Sequence, residues 1–184
     1  MSTKIEIRIP WERYGAIAYI ADNVEMFGKT ALQKMVYFLQ EWKGVSLGYR
    51  FEFYTYGPFS AALMGDLDYA DVLGAVKVQY IVNGGYSISP GPQNEDVRKH
   101  AQDFLDKHKA EIDAVINVFG RRSATSLELF ATTHYAYSYF AARGKPVADS
   151  DVIDTVHALK PGKFSRNEIT EALEYLRTNQ VITA

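Results

Sequence analysis

The chain has no cysteine. Disulfides and thiolate chemistry are excluded, and the absence fits a reducing compartment. Histidine is scarce: His100, His108, His134 and His157 are the whole set. No two stand four residues apart, and no HExxH or related ligand spacing occurs. There is no glycine-rich phosphate loop, no nucleophile elbow and no spaced carboxylate pair. No apolar run approaches the ~20 residues of a membrane span, and the opening MSTKIEIRIPWERY lacks the apolar core of a signal peptide. The net charge is only −2, so there is no whole-molecule field to draw nucleic acid. Together these gaps point to a cytoplasmic protein that is not an enzyme and that holds no metal or cofactor.

What the chain does have is rings. Its 184 residues are 47% hydrophobic and 14% aromatic, with 13 tyrosines and 10 phenylalanines. The size suits one domain, and the core should be rich in aromatic contacts. The densest stretch is Gly28 to Pro58, GKTALQKMVYFLQEWKGVSLGYRFEFYTYGP. Leu32, Met35, Val36 and Leu39 fall at i, i+3, i+4 and i+7, one stripe of a helix. Phe38 and Trp42 make a second row, so this helix must be covered on more than one side. Thr30 and Gln33 have the spacing of a capping box. Lys34 and Tyr37 interrupt the apolar faces. Their plain reading is a snorkelling amine and a hydroxyl near water; the other is contact with a ligand. Gly44 and Gly48 then open an aromatic strand over 49–55. In it Tyr49, Phe51, Phe53 and Thr55 alternate with Arg50, Glu52, Tyr54 and Tyr56. Gly57-Pro58 ends the strand, and Ser60 is placed to cap the next helix.

On either side the pattern is equally regular. Residues 3–9 alternate as a short strand, and 11–27 read as a helix closed by Gly28. A helix over 60–73 turns Leu63, Leu67 and Ala70 inward. Val76, Val78, Tyr80 and Val82, the turn Asn83-Gly84-Gly85, and Tyr86-Ser87-Ile88 spell a hairpin. Pro90-Gly91-Pro92 marks a joint. Beyond it everything reads as helix. One long helix runs from Asn94 to about Val118. A second, with a Thr125/Glu128 capping box, runs to about Arg143. A third is capped by Asp149 or Ser150 and ends near Leu159. The last, with a Ser165/Glu168 capping box, buries Ile169, Ala172, Leu173 and Leu176. The sequence therefore predicts an α+β, predominantly helical fold. Residues 1–91 form a winged-helix-like part with a small antiparallel sheet, in which the aromatic strand is available as a third strand beside the hairpin. Residues 92–184 form a helical part packed on it, within one compact domain.

Three pieces of this chain resemble the YwgA-like bacterial proteins. They are the helix Thr30-x-Leu32-Gln33-Lys34-Met35-x-Tyr37-Phe38, the segment Phe51-x-x-Tyr54-x-Tyr56-Gly57-Pro58-Phe59-Ser60, and the late Leu159-Lys160-Pro161-Gly162-Lys163-Phe164-Ser165 with Glu168-Ile169. The first two are also similar to the SocA-like, or Panacea, antitoxin domain. The resemblance implies a mixed helical fold and, through the Panacea relatives, neutralisation of a partner protein such as a toxin.

The candidate sites follow from these readings. The helix over 60–73 carries Asp66, Asp68 and Asp71 and no lysine or arginine, a poor face for phosphates. The better nucleic-acid candidates lie late in the chain: Lys163, Arg166, Asn167 and Arg177, with Arg121, Arg122 and Lys160 nearby. His100 and His108 read as solvated, and His134 as a hydrogen-bonded core histidine. Asp149, Asp151 and Asp154 read as helix-start acids. Protein binding, to a partner or to a second copy, is the favoured role. Its candidate residues are Lys34, Tyr37, Tyr54, Tyr56, Gly57, Pro58, Phe59 and Ser60; Tyr54, Tyr56, Phe59 and the run Thr132–Phe140 hold more rings than one small core needs, the other reading being that they pack between the two halves.

Overall fold

A computed structural model describes residues 8–25, 28–82, 84–144 and 146–183. The strand expected over 3–9 and Asn83 of the hairpin turn fall mainly or wholly outside those residues. The first helix, expected to reach about 27 and to be closed by Gly28, instead ends at Asn23, because the backbone at Val24 is already extended, and Gly28 precedes the next helix.

Helix α1 (Trp11–Asn23) buries Tyr14, Ile17, Ala18 and Ala21, as its spacing requires. Helix α2 (Lys29–Glu41) buries nine consecutive residues, Ala31 to Leu39. It is thus covered all round, and Phe38 stacks on Phe119 with ring centroids 4.0 Å apart. The Thr30/Gln33 capping box does not form. The helix starts two residues earlier, behind Gly28, with no side-chain cap. Thr30 is then inside the first turn, and Gln33 has other work, described below.

The aromatic segment keeps the expected period of two but not the expected ladder. Val45, Leu47 and Tyr49 are buried, the residues between them are exposed, and Phe51 and Phe53 continue the inner row. Yet only β1 (Glu52–Tyr54) is a paired strand. Its partner is β2 (Gly57–Phe59), in register Phe53↔Pro58. Gly57-Pro58 therefore does not end the strand; it begins the returning one. The third-strand expectation also fails. The hairpin β3 (Val76–Ile81) and β4 (Gly85–Pro90) forms its own two-stranded sheet, with Val78↔Ile88 and Tyr80↔Tyr86 opposed. Between the two hairpins lies α3 (Ala61–Val72), which buries Leu63, Leu67 and Ala70.

The long helix expected from Asn94 is two helices, α4 (Asn94–His100) and α5 (Gln102–Phe119), broken at Ala101. The break sits against α1. A Cβ added to Gly15 would lie 2.2 Å from that of Ala101. Asn94 does not cap: it is the first helical residue, and its side-chain amide donates to the carbonyls of Ala18 and Ala75 at 3.0 and 2.9 Å. Helix α6 (Ala124–Ala141) is capped by Ser123, whose hydroxyl accepts from the Ser126 N–H, rather than by Thr125. Helix α7 (Asp149–Leu159) has Ala148 at its cap position, so Asp149 and Ser150 lie in its first turn. Helix α8 (Arg166–Thr178) carries the Ser165/Glu168 capping box as read.

The fold is α+β and predominantly helical: eight helices and two small antiparallel sheets among the described residues. α1 packs on α3, α4 and α5, α2 on α5 and α6, and α6 on α7 and α8. One contiguous buried cluster runs from Tyr14 through α2 and α6 to Ile182. Among the described residues, no helix is long and apolar enough to cross a membrane.

Candidate interaction site

Helix α2 holds the extended segment with side chains instead of a neighbouring strand. Gln33 donates to the Ser60 carbonyl at 2.8 Å and accepts from the Ser60 N–H at 2.9 Å. Seven residues on, and so on the same helix face, Gln40 does the same for both backbone groups of Tyr49, each at 2.9 Å. Arg13 adds bonds to the carbonyls of Leu47 and Gly48. A buried backbone group left unbonded costs roughly 1–3 kcal/mol, so the two glutamines are what allow this stretch to lie outside a sheet. Ser60 does occupy the cap position of α3, but its hydroxyl makes no cap bond. It is the Ser60 backbone that is held.

Lys34 lies beside Gln33. It does not snorkel: it is 1% exposed, and its Nζ donates to the Pro58 carbonyl at 2.6 Å. The buried carboxylate that serves this region is Glu128 of α6. Its oxygens meet Lys160 Nζ at 2.9 Å and Lys163 Nζ at 2.7 Å, both from the loop between α7 and α8. Lys160 also donates to the Thr55 carbonyl. Three lysines and one glutamate thus gather beneath the β1–β2 turn and tie its backbone to α2, α6 and the late loop. Burial is the main reason that the Lys34 amine is pushed down to about 8; Glu128 opposes the shift and Lys160 adds to it. Gly57 is required at the turn on two counts. Its φ is +84°, and a Cβ there would stand 2.8 Å from Thr132 Oγ1. That Thr132 hydroxyl is buried without a hydrogen-bond partner.

Tyr37 is also fully buried, with its hydroxyl 2.8 Å from His134 Nδ1 rather than near water. Burial raises the phenol well above its usual range and pushes the imidazole down to about 4, so His134 is neutral at physiological pH. His134 is the core histidine that its apolar stripe suggested. His108 is only partly solvated, and His100 is exposed but stacks on Trp11 at 4.3 Å.

The eight residues read as a binding patch therefore divide. Lys34, Tyr37, Gly57, Pro58 and Ser60 are buried and build the support. Phe59 is half-buried against Tyr54, with ring centroids 5.6 Å apart. Tyr54 and Tyr56 alone present their rings to solvent, 64% and 57% exposed, and Lys163 Nζ lies 5.1 Å from the Tyr56 ring centroid. In the Thr132–Phe140 run, offered with them as surplus rings, Thr132, Thr133 and His134 are buried while Tyr139 is exposed.

The four leading residues named for nucleic acid are engaged within the chain, whereas Arg121 and Arg122 are exposed. Lys163 is paired with Glu128, Arg166 with Asp154 at 2.6 Å and Arg177 with Asp149 at 2.8 Å, and the Asn167 amide donates to Glu171 at 2.8 Å. Glu128 and Gln40 are the residues that sequence reasoning missed as site builders. A glutamate in the first turns of a helix looks like a capping partner, and its burial beside lysines from residues 160 and 163 leaves no local trace. The Gln33/Gln40 spacing of seven was the one available signal. A surface hollow of about 510 Å³ is bordered by Arg8, Trp11, Glu12 and His100 and involves none of these residues.

This architecture defines a class no narrower than a predominantly helical α+β protein with a lysine–glutamate core beneath an aromatic turn. No protein-family model matches the chain, and no curated protein matches it.

Proposed function

We propose that this chain is a non-enzymatic protein-interaction module, antitoxin-like in the manner of the SocA-like (Panacea) domain that it resembles, and that Tyr54 and Tyr56 are its contact residues. The observation that carries the reading is the contrast between these rings and their support. The rings are solvent-exposed, while the turn that bears them is bonded at Thr55, Pro58 and Ser60 to buried Lys160, Lys34 and Gln33. A preorganised aromatic pair loses little conformational freedom on binding, which is what makes tyrosine an effective interface anchor. Two of the pieces that carry the resemblance lie together in the same contacts. The Leu-Gln-Lys helix and the Tyr-Gly-Pro-Phe-Ser turn, quoted separately from the sequence, bind each other through Gln33–Ser60 and Lys34–Pro58.

The nucleic-acid alternative draws on Lys163, Arg166, Asn167 and Arg177, and their pairing with in-chain carboxylates weakens it. Affinity purification of the tagged full chain from its native host tests both. The expected result is a protein enriched at least about tenfold over a Tyr54→Ser, Tyr56→Ser double variant of unchanged melting temperature. No such protein, together with retention on a DNA column that falls steeply with salt and is lost in Arg166→Ala, would transfer the function to nucleic acid.

A further inference from the structure

Seven of the twelve large apolar side chains exposed among the described residues fall between Tyr69 and Tyr86. They lie on two joined elements. On α3 the core-facing row is Leu63, Leu67 and Ala70, so Tyr69 and Val72 point outward, and Val72 is 85% exposed. On the β3–β4 hairpin, Val76, Val78 and Ile88 pack onto the body at the base. Tyr80 and Tyr86 continue that face beyond the body, with their ring centroids 5.5 Å apart. Ile81 is exposed on the opposite face, so the tip is apolar on both sides. Asp71 Oδ1 accepts the Val78 N–H at 2.9 Å and pins the helix to the hairpin.

A two-stranded hairpin is marginal in water, and projecting strands are normally guarded by lysine or other charges. From Val78 to Asn94 this chain carries no charged residue at all. An unguarded apolar surface of this kind marks an interface. Its charge selects the occupant. α3 holds Asp66, Asp68 and Asp71 and no lysine or arginine. Asp66 is occupied by Arg13 and Tyr49, while Asp68 and Asp71 are exposed. Of the nearby cations, Lys29 lies over the Tyr86 ring with Nζ 4.1 Å from its centroid, and Lys77 sits at the hairpin base. Phosphates of nucleic acid or of anionic lipid would meet the aspartates, and a second copy docked through α3 would set one acidic row against another. A helix with an apolar face and a basic rim matches both the rings and the charge.

We propose that the outer face of α3 and the tip of the β3–β4 hairpin form a docking surface for a basic amphipathic helix of a partner protein. This surface shares no residue with the Tyr54–Ser60 turn, so it stands or falls separately from the function proposed above. The test titrates the isotopically labelled full chain with a synthetic leucine–lysine helix of about five turns. A leucine–glutamate helix of the same pattern is the control. The expected result is a set of amide shift changes concentrated on Tyr69, Val72, Tyr80 and Ile81 with the lysine peptide and none with the glutamate peptide. Asp68→Lys should weaken the lysine peptide at least about tenfold and admit the glutamate peptide. Val72→Glu should abolish binding, and if that variant is unstable the wild-type shift map and the Asp68 charge swap still decide. Shifts centred on other elements, equal binding of both peptides, or no binding would overturn the proposal. So would a wild-type dimer that Val72→Glu dissociates, which would make the occupant a second copy.

Discussion

Glu128 is the residue on which the buried charges depend. It faces two lysines directly and is the one group that opposes the burial-driven fall in the Lys34 pKa. A buried ion pair is rarely a large net gain, but breaking one leaves an uncompensated charge in a low-dielectric interior, which costs roughly 3–5 kcal/mol. Glu128→Gln keeps the shape and removes the charge. It is expected to lower unfolding free energy by about 3 kcal/mol in urea titrations, and to move the Lys34 amine further below its wild-type value of about 8 in an NMR titration. A variant of wild-type stability would show that the lysines find other partners. Gln33 belongs to the same scale. Its two bonds to Ser60 make it a substitute for a strand partner, so its polar side chain is buried at no loss of hydrogen bonding.

At the level of elements, the approach of α1 to the α4–α5 break is set by one missing Cβ. Gly15 is helical, so alanine there would gain about 1 kcal/mol in helix propensity. Its Cβ would stand 2.2 Å from that of Ala101, a contact that the backbone must move to relieve. Overpacking of this kind costs roughly 1–3 kcal/mol. Gly15→Ala is therefore expected to lower the urea midpoint despite the better propensity, and Gly15→Ala with Ala101→Gly to recover most of the loss. Stabilisation by the single change would show that the two helices separate freely. The broken helix also explains a misreading. Val97, Ala101, Phe104 and Leu105 carry an unbroken helical period across the gap. The interruption at Ala101, with φ −103° and ψ 14°, comes from packing against α1 and not from a breaker residue.

For the whole molecule, acid is the informative variable. The His134 imidazole titrates near 4 when folded and near 6.5 when unfolded. Between those values the unfolded chain binds one more proton, so stability is fully present above pH 6.5 and falls as pH drops towards 4. The loss is about 3 kcal/mol. Aspartates held low in the folded state, Asp113 and Asp149, add their own loss only as pH falls below the usual carboxylate range. Unfolding free energies of wild type and His134→Gln between pH 4 and 7 separate these effects. The wild type is expected to lose stability across that window and the variant to stay nearly flat. Parallel curves would place the titrating group elsewhere.

Period and punctuation in the amino-acid order were enough to locate the helices, the β3–β4 hairpin and the α8 capping box, because each rests on contacts between near neighbours along the chain. The apolar stripe also put His134 on an inward face, though its partner Tyr37 is distant in sequence. Three-dimensional packing alone decided the rest. It drew Gln33, Lys34 and Glu128 away from their local roles as caps and surface charges, and it left the aromatic segment extended but mostly unpaired. It also split one periodic helix in two and sorted Tyr54 and Tyr56 from the buried residues around them. The physical reason is common to all of these. A polar side chain chooses between a partner three residues away and one far along the chain according to which is desolvated with it, and burial is a property of the assembled core.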